Sequence, residues 1–298
     1  QVGEGLVTFY MTPSSRLWDP SMAVLFSFSI FFAMIISDAG YALVLALGLL
    51  LMRGKLGKTA GGRKARTLLT LLTLATALWG VAVGSYFGVA PPEDSLLGKL
   101  KVLDMGDSET MMALSVVVGV AHLVLANAMD AWRRRGSSAA LAPVGWIVVL
   151  ISGLVMAGGA MEVGLAGLVA GLLLVVAFAG AGAKPVSRVA KGLLALTRIT
   201  NAFGDVMSYL RLFALGLASA SLAMAFNDLA AGVRESVPGL GLLFAMLILL
   251  LGHTLNFALA LISGFVHGMR LNVIEFFNWG IPEEGRPFQP FARRESAP

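Results

Sequence analysis

SMAVLFSFSIFFAMIISDAGYALVLALGLLLM, residues 21–52, is one apolar run with a polar break at its middle. A continuous helix over it would be about 50 Å long at ~1.5 Å per residue, against ~30 Å of hydrocarbon in a bilayer. Ser37-Asp38-Ala39-Gly40 sits at its midpoint, a polar and helix-weakening break. The stretch therefore reads as two short spans, roughly 21–36 and 40–53, turning at 37–39. Further apolar runs follow at 67–91, 110–132, 139–160, 163–183, 199–233 and 239–278. The fold class this dictates is all-α, a polytopic membrane protein of about eight transmembrane helices. The last two runs are longer than an upright span needs, so they must tilt strongly, curve or protrude. Pro238-Gly239 supplies the hairpin between them.

Composition agrees. Of 298 residues, 57% are hydrophobic and only 13% charged, where a soluble domain carries about 25% charged residues. Mean hydropathy is +0.84. A soluble enzyme, a disordered chain and a secreted disulfide scaffold are all excluded. There is no cysteine, which removes thiol catalysis and thiolate metal sites. The net charge of +5 does not point to nucleic acid, because the basic residues lie in short clusters between apolar runs, as membrane topology produces.

Those clusters set an orientation. With eight spans and a cytoplasmic start, the inner segments are 53–66, 133–138, 184–191 and the tail after 279, and they hold fifteen Lys and Arg residues, including Arg286, Arg293 and Arg294. The outer segments 37–39, 92–109, 161–162 and 234–238 hold three: Lys99, Lys101 and Arg234. Lys and Arg favour the cytoplasmic side, so both termini are expected there and the acidic stretch 92–109 outside. The expected division is an N-terminal cytoplasmic or interfacial segment (1–20), a bundle of about six helices (21–183), and a tilted helix hairpin with a cytoplasmic tail (184–298). The chain starts at Gln1 with no signal-peptide pattern, which points to a polypeptide that begins further upstream.

Ionisable groups at membrane depth mark functional sites by default. The candidates are Asp38, His122, Asp205, Arg211, His253, His267, Arg270 and Glu275. Arg211 lies thirteen residues past Arg198, about 20 Å along a helix and out of snorkelling range. It is either a functional cation or one half of an internal salt bridge. Arg270 could equally be a tilted interfacial arginine, and His267 shares its helix face. Glu275 is either functional or interfacial. Asp205 stands one polar step from Arg211 towards the cytoplasm. Asp38 reads as a cap or loop residue, and His122 and His253 as core or interface residues. The three histidines show no metal-ligand spacing, and no GxxxxGK[ST] phosphate loop is present. The chemistry left is passage of a small ion beside two membrane arginines.

Ser208-Tyr209-Leu210-Arg211-Leu212-Phe213-Ala214-Leu215-Gly216-Leu217-Ala218 resembles the signature of the membrane stator subunit of V-type and archaeal-type rotary ATPases, called a in eukaryotes and I in bacteria and archaea. Phe265 to Phe276, FVHGMRLNVIEF, resembles the last helix of that family. Asp38-Ala39-Gly40-Tyr41 resembles its first hairpin break, and Trp79-Gly80 through Gly84-Ser85-Tyr86-Phe87-Gly88 its third span. The resemblance implies two half-channels set against a ring of proteolipid subunits, each carrying a membrane carboxylate. It implies that Arg211 is the essential arginine beside that carboxylate and Arg270 the second arginine. Asn201 matches a polar position of the cytoplasmic half-channel, with Asp205 and Ser208 near it. His267 matches a channel histidine, and Glu275 the acidic residue five after Arg270. Peripheral-stalk and soluble V1/A1 subunits are the further partners implied, and a prokaryotic plasma membrane the location. Neither cofactor nor metal is expected. The family's long N-terminal cytosolic region has no counterpart in this sequence.

Two departures stand out. Eukaryotic members carry His eight residues after the first arginine, where this chain has Ser219, and Glu ten before the second, where it has Ala260. Ser219, Ser221, Ser263, Asn227 and Asp228 are the residues left to line a non-cytoplasmic half-channel. The ion is expected to be H⁺, with Na⁺ as the alternative. Two other functions stay open: a secondary transporter whose Arg211 binds an anionic substrate, and a membrane scaffold. Transporters often show repeated halves; residues 21–160 and 161–298 show no such correspondence.

Overall fold

The computed structural model describes residues 2–8 and 19–281. Arg286, Arg293 and Arg294, and with them the expected cytoplasmic tail, lie outside the described residues. Within them every regular element is a helix, with one isolated β-bridge between Tyr86 and Val89. In chain order the helices are α1 (Val2–Thr8), α2 (Ser21–Ile36), α3 (Ala39–Leu56), α4 (Ala60–Val83), α5 (Leu96–Lys99), α6 (Ser108–Arg133), α7 (Leu141–Ala157), α8 (Met161–Phe178), α9 (Pro185–Leu196), α10 (Arg198–Ser208), α11 (Leu210–Ser236), α12 (Gly241–Arg270) and α13 (Phe277–Gly280). A π-helical segment, Leu271–Phe276, joins the last two.

Seven of the described helical runs are long and apolar enough to cross a membrane, and α2 is an eighth, shorter apolar helix. The chain is an integral membrane protein. The break in the opening run falls where the sequence puts it. Ser37 turns the chain with a left-handed φ of 48°, and Asp38 caps α3 by accepting the Tyr41 amide at 3.0 Å. Capping by a short polar side chain satisfies an amide the helix cannot.

α2 forms the centre of the bundle. Val24, Phe28, Phe31, Ile35 and Ile36 are all 1% exposed or less, and of the 16 residues of α2 only Met22 and Phe26 are exposed. By contrast, only Gly40, Tyr41 and Ala42 of the 18 residues of α3 are buried, and Leu43, Leu47, Leu50 and Leu51 are exposed. An apolar outer surface over a tightly packed interior suits lipid as the solvent. α7 and α8 cross at Gly145 and Gly171, where a Cβ on either would lie 2.8 Å from the other's carbonyl oxygen. Such close approach is how small residues drive helix association where no hydrophobic effect operates.

Residues 184–191, expected as a connecting loop, are instead largely helical. Pro185 occupies the first turn of α9, which suits a residue with no amide proton to donate. Lys184, Arg188 and Lys191 therefore mark an exposed amphipathic helix rather than a gap between spans, and Arg188 Nε donates to Ala177 O at 2.7 Å, tying α9 back to α8. Helical structure then runs from Val186 to Ser236 over 51 residues, interrupted at Thr197 and Tyr209. α11 and α12 form the expected hairpin, turning through Gly239 at φ 80°. They have 27 and 30 residues, about 40 and 45 Å of helix.

Candidate functional site

Arg211 lies in the first turn of α11, immediately after the interruption at Tyr209. That interruption is fixed by packing. Tyr209 is fully buried and its hydroxyl bonds His122 Nδ1 on α6 at 2.8 Å. The His122 ring stacks on Phe276 of the π-helical segment, centroids 4.3 Å apart and planes 10° from parallel. One aromatic column thus ties the start of α11 to α6 and to the end of α12.

This brings five of the expected residues together. Arg211 is electrostatically coupled to Arg270 and Glu275, and His267 to both arginines. Ser208 stands beside the Glu275 carboxyl while donating to Gly204 O at 3.1 Å. Glu275 is 2% exposed, so its carboxyl is enclosed by the protein. Within the described residues Arg211 forms no ion pair. Its Nη1, His267 Nδ1 and Glu275 Oε2 are buried atoms with no hydrogen-bond partner. Unsatisfied buried polar atoms are costly and rare in native proteins; three in one cluster call for a functional reason.

Asn201 and Asp205 form a second group on α10. Asn201 is exposed. Asp205 Oδ2 accepts from Trp279 Nε1 at 2.7 Å. Arg198 lies 4.5 Å over the Trp279 ring and donates to Asn278 O at 3.3 Å. Asp205 is thereby anchored to the stretch just after Glu275.

A third group was only half legible in the sequence. Ser219 Oγ donates to Asn256 Oδ1 at 3.4 Å. Asn256 Nδ2 donates to Tyr41 Oη at 2.9 Å and to Ser219 O at 2.8 Å. Tyr41 Oη meets His253 Nδ1 at 2.9 Å, and His253 Nε2 meets Asn227 Oδ1 at 3.0 Å. Asn227 Nδ2 donates to Phe87 O at 2.8 Å. Of the residues proposed for this end, Ser219 and Asn227 belong to the network. Ser221 and Asp228 are exposed, and Ser263 is half-buried on α12, one turn from His267. Tyr41 and Asn256 were missed; the one available signal was that His253 and Asn256 share a helix face.

Asp38 lies under this network and accepts four bonds. Tyr41 N and Phe87 N donate to Oδ1 at 3.0 Å each, Ser85 Oγ to Oδ2 at 2.7 Å and Gly88 N to Oδ2 at 2.9 Å. On the connector between α4 and α6, the Gly106 amide and then Lys101 hold the Asp104 carboxyl below its ordinary range. No group of His, Asp and Glu able to hold a metal occurs among the described residues.

Over 98% of its length the chain is 30% identical to the A-type ATP synthase subunit I of Methanocaldococcus jannaschii, covering 48% of that protein. The chain belongs to the subunit I family of A-type and V-type ATP synthases. It is 29% identical to the V-type ATP synthase subunit I of Chlamydia trachomatis, again over 98% of the chain and 54% of that protein. To the A-type subunit I of Pyrococcus horikoshii it is 28% identical over 98% of the chain and 46% of that protein. The chain spans about half the length of the curated relatives it matches. No protein-family model matches it. Family membership accounts for the order of motifs from the α2–α3 break to the end of α12, all of which fall inside the matched length.

Proposed function

We propose that this subunit I chain is an ion-translocating membrane stator of a rotary V/A-type ATPase, passing H⁺ between two half-channels along a rotating ring of proteolipid subunits and so coupling transport to ATP synthesis or hydrolysis. The observation that carries the reading is Arg211, a cation at membrane depth with a buried Nη1 that no protein acceptor fills. Arg211 shares its helix face with Ala214, Ala218, Ser221 and Ala225, small and exposed at spacings of three and four residues. A ridge of small side chains lets another helix approach closely. A partner helix bearing a carboxylate would meet the guanidinium there.

The energetics suit a gate. A carboxylate ~4 Å from the guanidinium gains about 4 kcal/mol at an effective dielectric near 20. Lipid burial penalises an ionised carboxylate by a similar amount, about 4–7 kcal/mol. The partner carboxylate would be neutral facing lipid and ionised facing Arg211. Guanidinium stays charged throughout, where a buried Lys could neutralise itself. The membrane potential supplies only about 2.3 kcal/mol per charge per 100 mV, so the contact with Arg211 must be loose enough to break. Asn201, Asp205, Ser208 and Glu275 would border the cytoplasmic access path, with His267 and Arg270 beside the gate.

The interface is testable by crosslinking, because the chain has no cysteine of its own. In the assembled complex, Ala218→Cys should form a disulfide with a cysteine placed near the proteolipid carboxylate. A secondary transporter would copurify with no proteolipid and give no crosslink, which would refute the reading.

A further inference from the structure

The Ser219–Asn227 network has a direction that its amide groups dictate. The Phe87 and Ser219 carbonyls can only accept, so the nitrogens of Asn227 and Asn256 must face them. Asn227 then presents Oδ1 to His253, and His253 must donate from Nε2. In the neutral ring Nδ1 is left as acceptor, so Tyr41 donates its hydroxyl to it. Tyr41 Oη in turn accepts from Asn256. Both orienting contacts are backbone carbonyls, and the histidine tautomer follows from them.

We propose that His253 is the proton-accepting side chain of the access path on the side of the 92–107 connector, held in one tautomer by Tyr41 and Asn227. This rests on the ion-translocation reading above. Three observations place it. Along α11, Ser219 and Asn227 lie eight and sixteen residues beyond Arg211, about 12 and 24 Å away and opposite in direction to Asp205. The network is therefore a polar group separate from the Arg211 cluster. Second, a cavity of about 250 Å³ lies between the connector and α11, lined by Ser85, Gly88, Lys101, Asp104 and Met224 among others. Gly88, on the cavity wall, directly follows Phe87, whose carbonyl orients Asn227. Third, the acid–base groups that touch or face His253 are occupied or enclosed. Asp38, the charge that faces His253, has four donors on its two oxygens. Tyr41 is 1% exposed. His253 is half-exposed, and its Nδ1, held only by the Tyr41 hydroxyl, is the basic atom of the network that can take a proton.

Protonation at Nδ1 needs little movement. The Tyr41 hydroxyl rotates away, and its oxygen accepts the new Nδ1–H while keeping the bond from Asn256. The proton leaves from the same nitrogen, which restores the neutral ring and the original Tyr41 bond. The two asparagines hold the frame and transfer no proton, since an amide is a poor relay.

The test uses the assembled complex in proteoliposomes. His253→Gln keeps a donor for Asn227 and an acceptor for Tyr41 but cannot take up a proton. Proton flux should fall at least tenfold with assembly intact. In His253→Gly, imidazole added on the connector side should restore flux several-fold, and it should restore nothing in Arg211→Gln. Wild-type flux in His253→Gln alongside an inactive Arg211→Gln overturns this inference and leaves the stator reading standing. If Arg211→Gln also pumps, the stator reading itself fails. Should His253→Gln not assemble, absence of imidazole rescue in an assembled His253→Gly complex overturns the proposal.

Discussion

Asp38 shows what one side chain does in this fold. It caps α3 and also closes the turn at 85–88, so a single carboxylate joins two segments 47 to 50 residues apart. Hydrogen bonds to a charged group contribute about 1.5–3 kcal/mol each, and stranded donors add a desolvation penalty. Asp38→Ala should therefore destabilise the protein by about 3 kcal/mol or more. Thermal denaturation in detergent checks this; a melting temperature within a degree of wild type would contradict it. Its role as a cap was legible because Ser37-Asp38-Ala39-Gly40 interrupts an apolar run, a purely local signal. Of the His253 network only Ser219 and Asn227 were legible as candidates. Its bonds span 212 and 215 residues to Tyr41, and no spacing rule along one helix reveals a partner on another. His122 likewise reads as an isolated core residue until Tyr209, 87 positions away, is seen to bond it.

At the scale of elements, the short interruption at Tyr209 governs where Arg211 stands. α6 gives way to the Tyr209 ring at Gly119, where an added Cβ would sit 2.5 Å from the ring carbon Cγ. Overpacking of this kind costs about 1–3 kcal/mol. Gly119→Ala should push Tyr209 aside, lower the melting temperature of the complex by several degrees and depress transport. Gly48→Ala is the matched control, since nothing lies within 4 Å of its added Cβ and Ala favours helix by up to ~1 kcal/mol over Gly. Equal melting temperatures and equal transport in the two variants would contradict the account. Spans were legible because lipid selects for length and apolarity, which a sequence displays directly. The helical state of 185–196 was not, because an amphipathic helix with basic residues resembles a loop when only charge is counted. Widening of α12 into a π-helical turn at Leu271 was also hidden. It depends on tertiary partners such as Asn272, which accepts from Ser27 on α2 and donates to Gly268 O.

For the whole molecule, the charge asymmetry and the two polar groups along α11 lead to one arrangement. The basic clusters put the 92–107 connector on the side opposite Arg133, Arg134 and Arg135. Ser95 lies on that connector at the cap of α5, and Ser95→Cys provides a unique thiol. It should react with an impermeant maleimide from the non-cytoplasmic side only; labelling solely from the cytoplasm would invert the topology and both access paths. The central claim is that Arg211 separates those paths and releases the ion from each passing carboxylate. Its most direct test is proton pumping by the assembled complex carrying Arg211→Gln, reconstituted in proteoliposomes. The account predicts that the ring still assembles and that coupled pumping falls to background. Pumping at a rate near wild type would contradict it.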